Sequence, residues 1–271
     1  MKKRILKIIA LCLGVALTIG TCAFANALVG NPISKMLAEG TAKKHVAASY
    51  PNTGYTVESV SYSFKTGEYY ALVNNPSNVD EHFSLTLSML GKLLDDDYTF
   101  RVEEHQNVAN RIYFEYRALV DAVLTSYAYP YSVSLGYGDF LIADEHEFSP
   151  ENALKRSELK NGEAYNVGEL GGKSAMLVLY IDSDAVTTQR AAEVLLKTKE
   201  LMNRSGVYFY AVHLVLQYPP YDEQKPYARP EGSVDLLNFL ASDIYEDGIT
   251  ARIEDCAKST QDYYNRLDKN S

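Results

Sequence analysis

Residues 175–181 read Ala-Met-Leu-Val-Leu-Tyr-Ile, an uncharged and largely apolar run. A short run of this kind is typical of a strand that is buried on both faces. Helix-spaced apolar residues follow over Thr187 to Asn203, and Ser205-Gly206 ends that helix before a second apolar run, Val207 to Leu216. Strand, helix and strand in this order predict a βαβ-like element at the centre of an α+β domain.

The segments around this element complete a C-terminal domain. Ser132 to Ile142 predicts a strand, and the acidic stretch beyond it predicts loops with one short helix after Ser149-Pro150. We expect a proline-punctuated loop from Tyr218 to Pro230. Helices are expected at Val234 to Tyr245 and Ile249 to Lys269.

An earlier part of the chain predicts a different α+β domain. A helix over Ile33 to Tyr50 precedes alternating runs that indicate an antiparallel meander, whose first hairpin turn is Lys65-Thr66-Gly67. A long helix from Asp97 to Tyr127 carries an apolar stripe and is expected to close over the meander. Tyr129-Pro130-Tyr131 ends it, so we place the domains at 31–130 and 131–271.

The first thirty residues predict a membrane anchor. From Ile8 to Gly30 the chain is uncharged and mostly apolar, which is enough helix to cross a hydrocarbon core of about 30 Å. Lys2, Lys3, Arg4 and Lys7 precede it, so the positive-inside rule places residue 1 in the cytoplasm and the domains outside. The alternatives are a cleaved signal, favoured by the small residues around Ala25, and a lipidated Cys22.

Charge and cysteine content limit the possible partners. Residues 31–271 keep 22 of the 26 Lys and Arg and all 35 Asp and Glu, a net charge of −13. So acidic a domain repels nucleic acid and anionic lipid headgroups, and we expect neither of them as a partner. Cys256 is the single cysteine after residue 30, so we expect no internal disulfide and stability from packed cores.

Two resemblances to catalytic motifs fail on order and spacing. Gly168 to Ser174 lacks the first glycine of a phosphate-binding loop and precedes a strand instead of following one, so we expect a tight turn. Ser157-x-x-Lys160 and Lys65-Thr66-Gly67 match two motifs of penicillin-recognising serine enzymes, but in the reverse order. We interpret both matches as coincidence.

The remaining candidates also have ordinary structural interpretations. Asp144 to Glu147 could supply metal ligands, yet four consecutive polar residues are usually a solvated loop, and none of the five histidines has metal-site spacing. Asp182-Ser183-Asp184 follows a buried strand, where catalytic carboxylates often lie, but Ser183, Asp184 or Thr187 can cap the next helix. Cys256 is expected to be a packed thiol, and the tyrosines of the 218–230 loop to pack down on the domain. We therefore assign no catalytic, cofactor or metal residues.

Taken as a whole, the chain resembles the YfjL-like family of small membrane-anchored proteins of Gram-positive bacteria. The stretches that carry the resemblance are Gly30 to Lys35, Tyr50 to Thr53, Asp80 to Ser84, Tyr116 to Val120 and Asp243 to Gly248. The resemblance implies a retained N-terminal anchor and tandem extracytoplasmic α+β domains. It implies no biochemical activity.

Together these observations predict a single-pass, outward-facing protein that binds or modulates a protein or peptide at the cell envelope without catalysis and without a cofactor. The alternative is an envelope hydrolase built from dispersed carboxylates or histidines. A concave pocket that gathers His146 or Asp182 with another titratable group would contradict the binding-module interpretation. A flat surface with dispersed carboxylates would contradict the hydrolase.

Overall fold

The computed structural model describes residues 2–143, 148, 150–151, 153–222, 224–225 and 227–270. Contacts divide the chain into two compact units, Met1–Asn107 and Val108–Ser271, which are described separately. Both mix helices with a sheet, which confirms the α+β class. The candidate metal ligands Asp144 to Glu147 lie outside the described residues.

The first unit begins with the apolar helix α1, Lys2–Val29. Among the described residues, one helical stretch, starting at Leu11, is long and apolar enough to cross a membrane, with a mean hydropathy of 1.9. Length and composition support an anchor, although a signal sequence has the same properties. Gly30 then adopts a positive φ of 69°, and Asn31 caps the next helix by accepting a hydrogen bond from the Ser34 backbone.

Helix and meander follow as the sequence predicts. Helix α2, Pro32–Ser49, packs through Ala38, Ala42 and Val46 on a sheet with the order β1-β2-β3-β4, in which each neighbouring pair is antiparallel. The strands are β1 Thr56–Ser63, β2 Glu68–Asn75, β3 Asn78–Leu87 and β4 Leu93–Asp96. Lys65-Thr66-Gly67 lies in the β1–β2 turn, as predicted. Strand β4 was not predicted. Two of its four residues are acidic, and it is ordered by pairing with β3, which its own sequence does not indicate.

The helix expected from Asp97 to Tyr127 is interrupted. A π-helical turn, Thr99–Glu103, is followed by His105 at φ 58°, and helix α3 runs over Gln106–Leu124. At the break, the Asn107 side chain donates hydrogen bonds to the carbonyls of Asp80 and His82, at 2.9 and 2.6 Å. Asn107 lies at the start of α3, whereas the carbonyls that it contacts belong to strand β3. Because these partners are distant in sequence, the helical periodicity of residues 97–127 could not predict the break.

Helix α3 contributes its apolar face to the core of the second unit. Ile112, Tyr116 and Val120 are fully buried there with strand residues such as Leu179. The expectation that this helix closes over the meander is therefore wrong, because its stripe fits the other sheet. The division at 107/108 falls within the first turn of α3, whereas the sequence placed the domain boundary after this helix.

The second unit has a sheet with the order β5-β6-β7-β8. Strands β6 and β7 are parallel and joined by helix α5, which confirms the βαβ-like element, while β5 and β8 pair antiparallel at the edges. The elements are β5 Ser132–Phe140, α4 Val167–Ser174, β6 Ala175–Asp182, α5 Thr188–Arg204, β7 Ala211–Gln217, β8 Ser233–Leu240 and α6 Ile249–Asn270, with short 3-10 turns at Arg156–Glu158 and Ala241–Asp243.

Two local predictions in this unit are wrong. Residues 168–174 form helix α4 rather than a tight turn, because Asn166 caps it and Gly171 lets it approach the Tyr208 carbonyl closely. Residues 234–240 form strand β8 rather than a helix. Val234, Leu236 and Phe239 are buried against β7. The strand has a bulge at Asn238, whose φ is 57°, and this bulge gives the apolar residues a spacing that resembles a helix.

A polar recess at the ends of β6 and β7

A concave recess of about 740 Å³ lies in the second unit, where β6 and β7 end and α5 begins. Carboxyl ends of parallel strands are the usual place for ligands in sheets with βαβ connections. We call this feature the β6–β7 recess. Its lining includes Pro130, Tyr131, Asp182, Ser183, Asp184, Thr187, Arg190, Glu193, Pro219 and Pro220.

Two ion pairs lie at the β6–β7 recess. Arg229 Nη1 lies 2.9 Å from Asp182 Oδ1, and both side chains are largely buried, with 20% and 12% exposed. Gln217 Nε2 donates a second hydrogen bond to the same oxygen, at 3.1 Å. Arg190 Nη1 pairs with Glu193 Oε2 at 2.8 Å on the first turns of α5. Asp182 therefore serves as an ion-pair partner that fixes the rim of the recess.

Tyr131 forms the aromatic wall of the recess. The Arg190 guanidinium lies 5.1 Å from its ring centroid, and its hydroxyl donates to the Glu193 carbonyl at 3.0 Å. Burial raises the pKa of Tyr131, so this hydroxyl stays protonated as a donor. These two contacts fix the orientation of the Tyr131 ring in the wall of the recess.

The helix-capping interpretation of this segment is confirmed at Thr187. Its Oγ1 accepts a hydrogen bond from the Arg190 backbone N–H at 3.1 Å, which satisfies a free donor of the first turn of α5. Ser183 instead turns inward along the loop, where its hydroxyl donates to the Ala185 carbonyl at 3.1 Å.

The proline-rich loop closes the recess from one side. Arg229 also donates to the Tyr218 carbonyl at 3.0 Å, which ties the two ends of the loop together. Tyr221 and Tyr227 are largely exposed, so the expectation that the loop's tyrosines pack down on the domain is wrong for these two. Exposed aromatic rings beside a recess are typical of recognition surfaces.

The recess meets the condition that was set above against the binding-module interpretation, since it gathers Asp182 with Asp184, Arg190 and Glu193. The hydrogen bonds to Asp182 nevertheless come from a guanidinium and an amide, neither of which can exchange a proton with it at neutral pH. The lining supplies charge and shape, with hydroxyls held in caps and turns. This chemistry suits recognition better than proton transfer.

Sequence reasoning missed one array in the first unit. Ser49 Oγ lies 3.3 Å from His45 Nδ1, His45 Nε2 lies 2.6 Å from Asp96 Oδ2, and Tyr50 donates to the same carboxylate oxygen at 2.6 Å. Burial and the Asp96 contact raise the pKa of Tyr50, which keeps its proton on the hydroxyl. His45 and Ser49 stand one helical turn apart, a signal visible in sequence, but Asp96 comes from strand β4.

The other sequence candidates occupy structural positions. Ser157 lies in a 3-10 turn of the second unit and Lys65 in a hairpin of the first. Cys256 is partly buried, and burial raises its thiol pKa, which lowers its reactivity. His213 lies 3.3 Å from Asp235, and the residues that the structure describes hold no group of three metal-ligating side chains.

Two family models match the chain. The YfjL-like N-terminal domain matches residues 5–97, and the YfjL-like C-terminal domain matches residues 115–254. These limits fall on either side of the division at 107/108. No curated protein and no solved structure matches the chain.

Proposed function

The chain belongs to the YfjL-like family, and on that premise we propose that it is a single-pass membrane protein whose α+β units bind a protein or peptide partner without catalysis. Helix α1 is the anchor, and Lys2 to Lys7 favour a cytoplasmic N-terminus. The binding units then lie outside, at the cell envelope. The β6–β7 recess is the proposed contact site.

The observation that carries this proposal is the internal pairing of charges in the recess. Asp182 with Arg229 and Arg190 with Glu193 build a rigid polar floor beside Tyr131 and the prolines of the rim. Interfaces combine aromatic anchors and arginine with a satisfied polar surround. The recess has this composition before any partner is bound.

Charge favours a neutral or basic partner segment. Three carboxylates, Asp182, Asp184 and Glu193, line the recess beside Arg190 and Arg229. The chain beyond residue 30 carries a net charge of −13, which attracts basic segments at long range. We therefore expect a peptide loop with one Lys or Arg to occupy the recess.

Photocrosslinking on intact cells tests the contact site. A benzophenone amino acid replaces Tyr131 in one variant and Pro220 in another, and Leu267 on helix α6 serves as the exposed control position. We expect a discrete adduct from both recess positions and none from Leu267. Arg190→Glu, which disrupts the charge pairing of the recess, should abolish the adduct at position 220.

The result that would contradict the binding proposal is equally definite. Adducts of the same size and amount from Leu267 mean that the recess has no special role. Adducts that consist of cell-wall material alone mean that the partner is not a protein.

A hydrolase is the second candidate function, favoured by the Ser49–His45–Asp96 array. Ser49 is exposed, but it is the last residue of α2, where the free backbone groups of the helix are carbonyls. A carbonyl end offers no N–H donors for an oxyanion, so the helix supplies no oxyanion hole. Labelling by a fluorophosphonate probe that Ser49→Ala abolishes would establish the hydrolase instead.

The secreted and lipidated forms are separate alternatives for the N-terminus. Cleavage near Ala25 or modification of Cys22 would change the mass of the mature chain. Intact-mass measurement on protein isolated from membranes should return the full-length chain. A mature N-terminus at Asn26 or Leu28 would contradict the anchor.

A further inference from the structure

An exposed apolar face lies at one end of the first unit. Ile33, Met36 and Leu37 on α2, Phe64 in the β1–β2 turn and Leu90 in the β3–β4 turn are each between 43% and 85% exposed. We call these five side chains the membrane-proximal face. Exposed apolar side chains of this size are usually scattered singly over a protein surface. Here five of them, from three segments, lie at one end of the unit.

Strand register places the two turns at the same end of the sheet as the exit of α1. Tyr69 pairs with Tyr62 on one side and with Leu87 on the other, so both turns lie a few residues beyond this row. The Tyr62 hydroxyl donates to the Ala27 carbonyl of α1 at 3.0 Å, and the Tyr69 hydroxyl contacts both backbone groups of Asn31. The row therefore touches the end of the anchor directly.

Helix α2 meets the β3–β4 turn at this end. A Cβ built on Gly91 would lie 2.9 Å from Leu37 Cβ, so the β3–β4 turn packs directly against α2 at Leu37. Residues 32–37 lie within about 12 Å of Val29 along the chain, at roughly 1.5 Å per helical residue. A headgroup layer is about 5–8 Å deep on each side of a bilayer. The face thus lies close to the end of α1.

Lysines accompany the apolar side chains on each of the three segments. Lys35, Lys65 and Lys92 are exposed, and each lies within two residues of Ile33, Phe64 or Leu90 respectively. The acidic neighbours are engaged, since Glu39 pairs with Lys43 at 2.6 Å and Glu68 accepts from Tyr70 at 3.1 Å. The local charge is therefore basic, opposite in sign to the chain as a whole.

We propose that the membrane-proximal face inserts into the headgroup layer of the membrane that α1 spans, with a preference for anionic lipid. Apolar side chains flanked by lysines are the composition of interfacial segments, in which the apolar groups enter the lipid and the ammonium groups reach the phosphates. The contacts of Tyr62 with α1 and of Tyr69 with Asn31 hold the unit in this orientation. The inference rests on the anchoring part of the proposed function.

The test uses the full-length chain in vesicles of phosphatidylcholine, with or without phosphatidylglycerol. Single cysteines carrying an environment-sensitive fluorophore replace Met36, Leu90, Val79 or Leu17, in a background where Cys12, Cys22 and Cys256 are serine. Val79 is the matched control, because it is exposed and apolar but lies at the β2–β3 end of the sheet. Leu17 reports on the anchor itself.

We expect a blue shift and quenching by lipids spin-labelled near the headgroup at positions 36 and 90, both larger with phosphatidylglycerol, and neither at 79. If position 17 is buried in lipid while 36 and 90 behave like 79, the inference is overturned and the anchor stands. If position 17 is also exposed to water, the anchoring proposal fails and this inference fails with it. Equal signals in both lipid mixtures would overturn the anionic preference.

Discussion

The Tyr69 hydroxyl contacts both backbone groups of Asn31, accepting from its N–H at 2.9 Å and donating to its carbonyl at 3.1 Å. Tyr69 is fully buried in the core of the first unit. One side chain of strand β2 thus fixes the residue that joins the apolar helix to α2. The connection between α1 and α2 is thus tied to the core of the first unit.

Tyr69→Phe should destabilise the first unit by about 1–3 kcal/mol, because the Asn31 N–H loses its acceptor. The Asn31 carbonyl keeps the hydrogen bond from the Lys35 N–H at 3.0 Å. Hydrogen exchange on the full-length chain in detergent measures this change. Tyr70→Phe is the control, since its hydroxyl is partly exposed and contacts Glu68 on the surface. The control should change stability by no more than about 0.5 kcal/mol, and an equal effect in both variants would contradict the role of Tyr69.

Gly30→Ala should cost more than Gly67→Ala. Both glycines have positive φ, 69° and 74°, so backbone strain of about 1–2 kcal/mol is common to both. A Cβ at Gly30 would also lie 2.6 Å from Tyr69 Oη and 2.8 Å from Tyr62 Cγ, whereas Gly67 has open space. Thermal unfolding should rank the variants in this order, and equal melting temperatures would show that the junction can relax.

Gly171→Ala should destabilise the second unit, because the new methyl group would collide with the Tyr208 carbonyl and the Tyr116 ring. Overpacking of this kind costs about 1–3 kcal/mol. Gly172→Ala is matched in helix and sequence, but its nearest neighbour, Tyr208 Cβ, would be 3.3 Å away. Urea denaturation should separate the two variants. A tolerated Gly171→Ala would mean that α4 can move off Tyr208.

The Tyr129→Phe variant should be less stable than wild type at pH 8, and the difference in their free energies of unfolding should become smaller as the pH rises. Burial raises the pKa of Tyr129 to about 12 in the folded chain, from an ordinary value of 10.0. Since the unfolded chain ionises first, wild type should lose about 1.4 kcal/mol between pH 8 and 11 through this group, and the variant should not. The variant also lacks the 2.9 Å contact with Thr198 Oγ1 at every pH. A constant difference between the proteins from pH 8 to 11 would contradict the assignment.

Arg229→Met and Asp182→Asn should each destabilise the second unit by about 1–3 kcal/mol, since each removes one charge of a largely buried ion pair. The double variant should cost less than the sum of the single variants, which a double-mutant cycle measures. The exposed pair Arg204 and Glu200 is the control and should show a coupling of about 0–0.5 kcal/mol. Additive losses at 182 and 229 would mean that the pair does not hold the recess together.

Local patterns in the sequence determined much of the fold. The apolar run before Gly30, the meander with its turn at Gly67 and the βαβ-like element over 175–216 each carry their signal within a short window, so periodicity and turn residues suffice to predict them. Thr187 was found in the same way, because a cap depends on its own helix.

Tertiary structure decided the features that depend on distant partners. Strand β4 is ordered by β3, residues 234–240 are a strand because β7 pairs with them, and α3 joins the second core because its stripe fits that sheet. The β6–β7 recess needs Arg229 beside Asp182, and the junction needs Tyr69 beside Asn31. Such pairs are separated by tens of residues, and their energies arise only when folding brings them together and removes water, which no local pattern encodes.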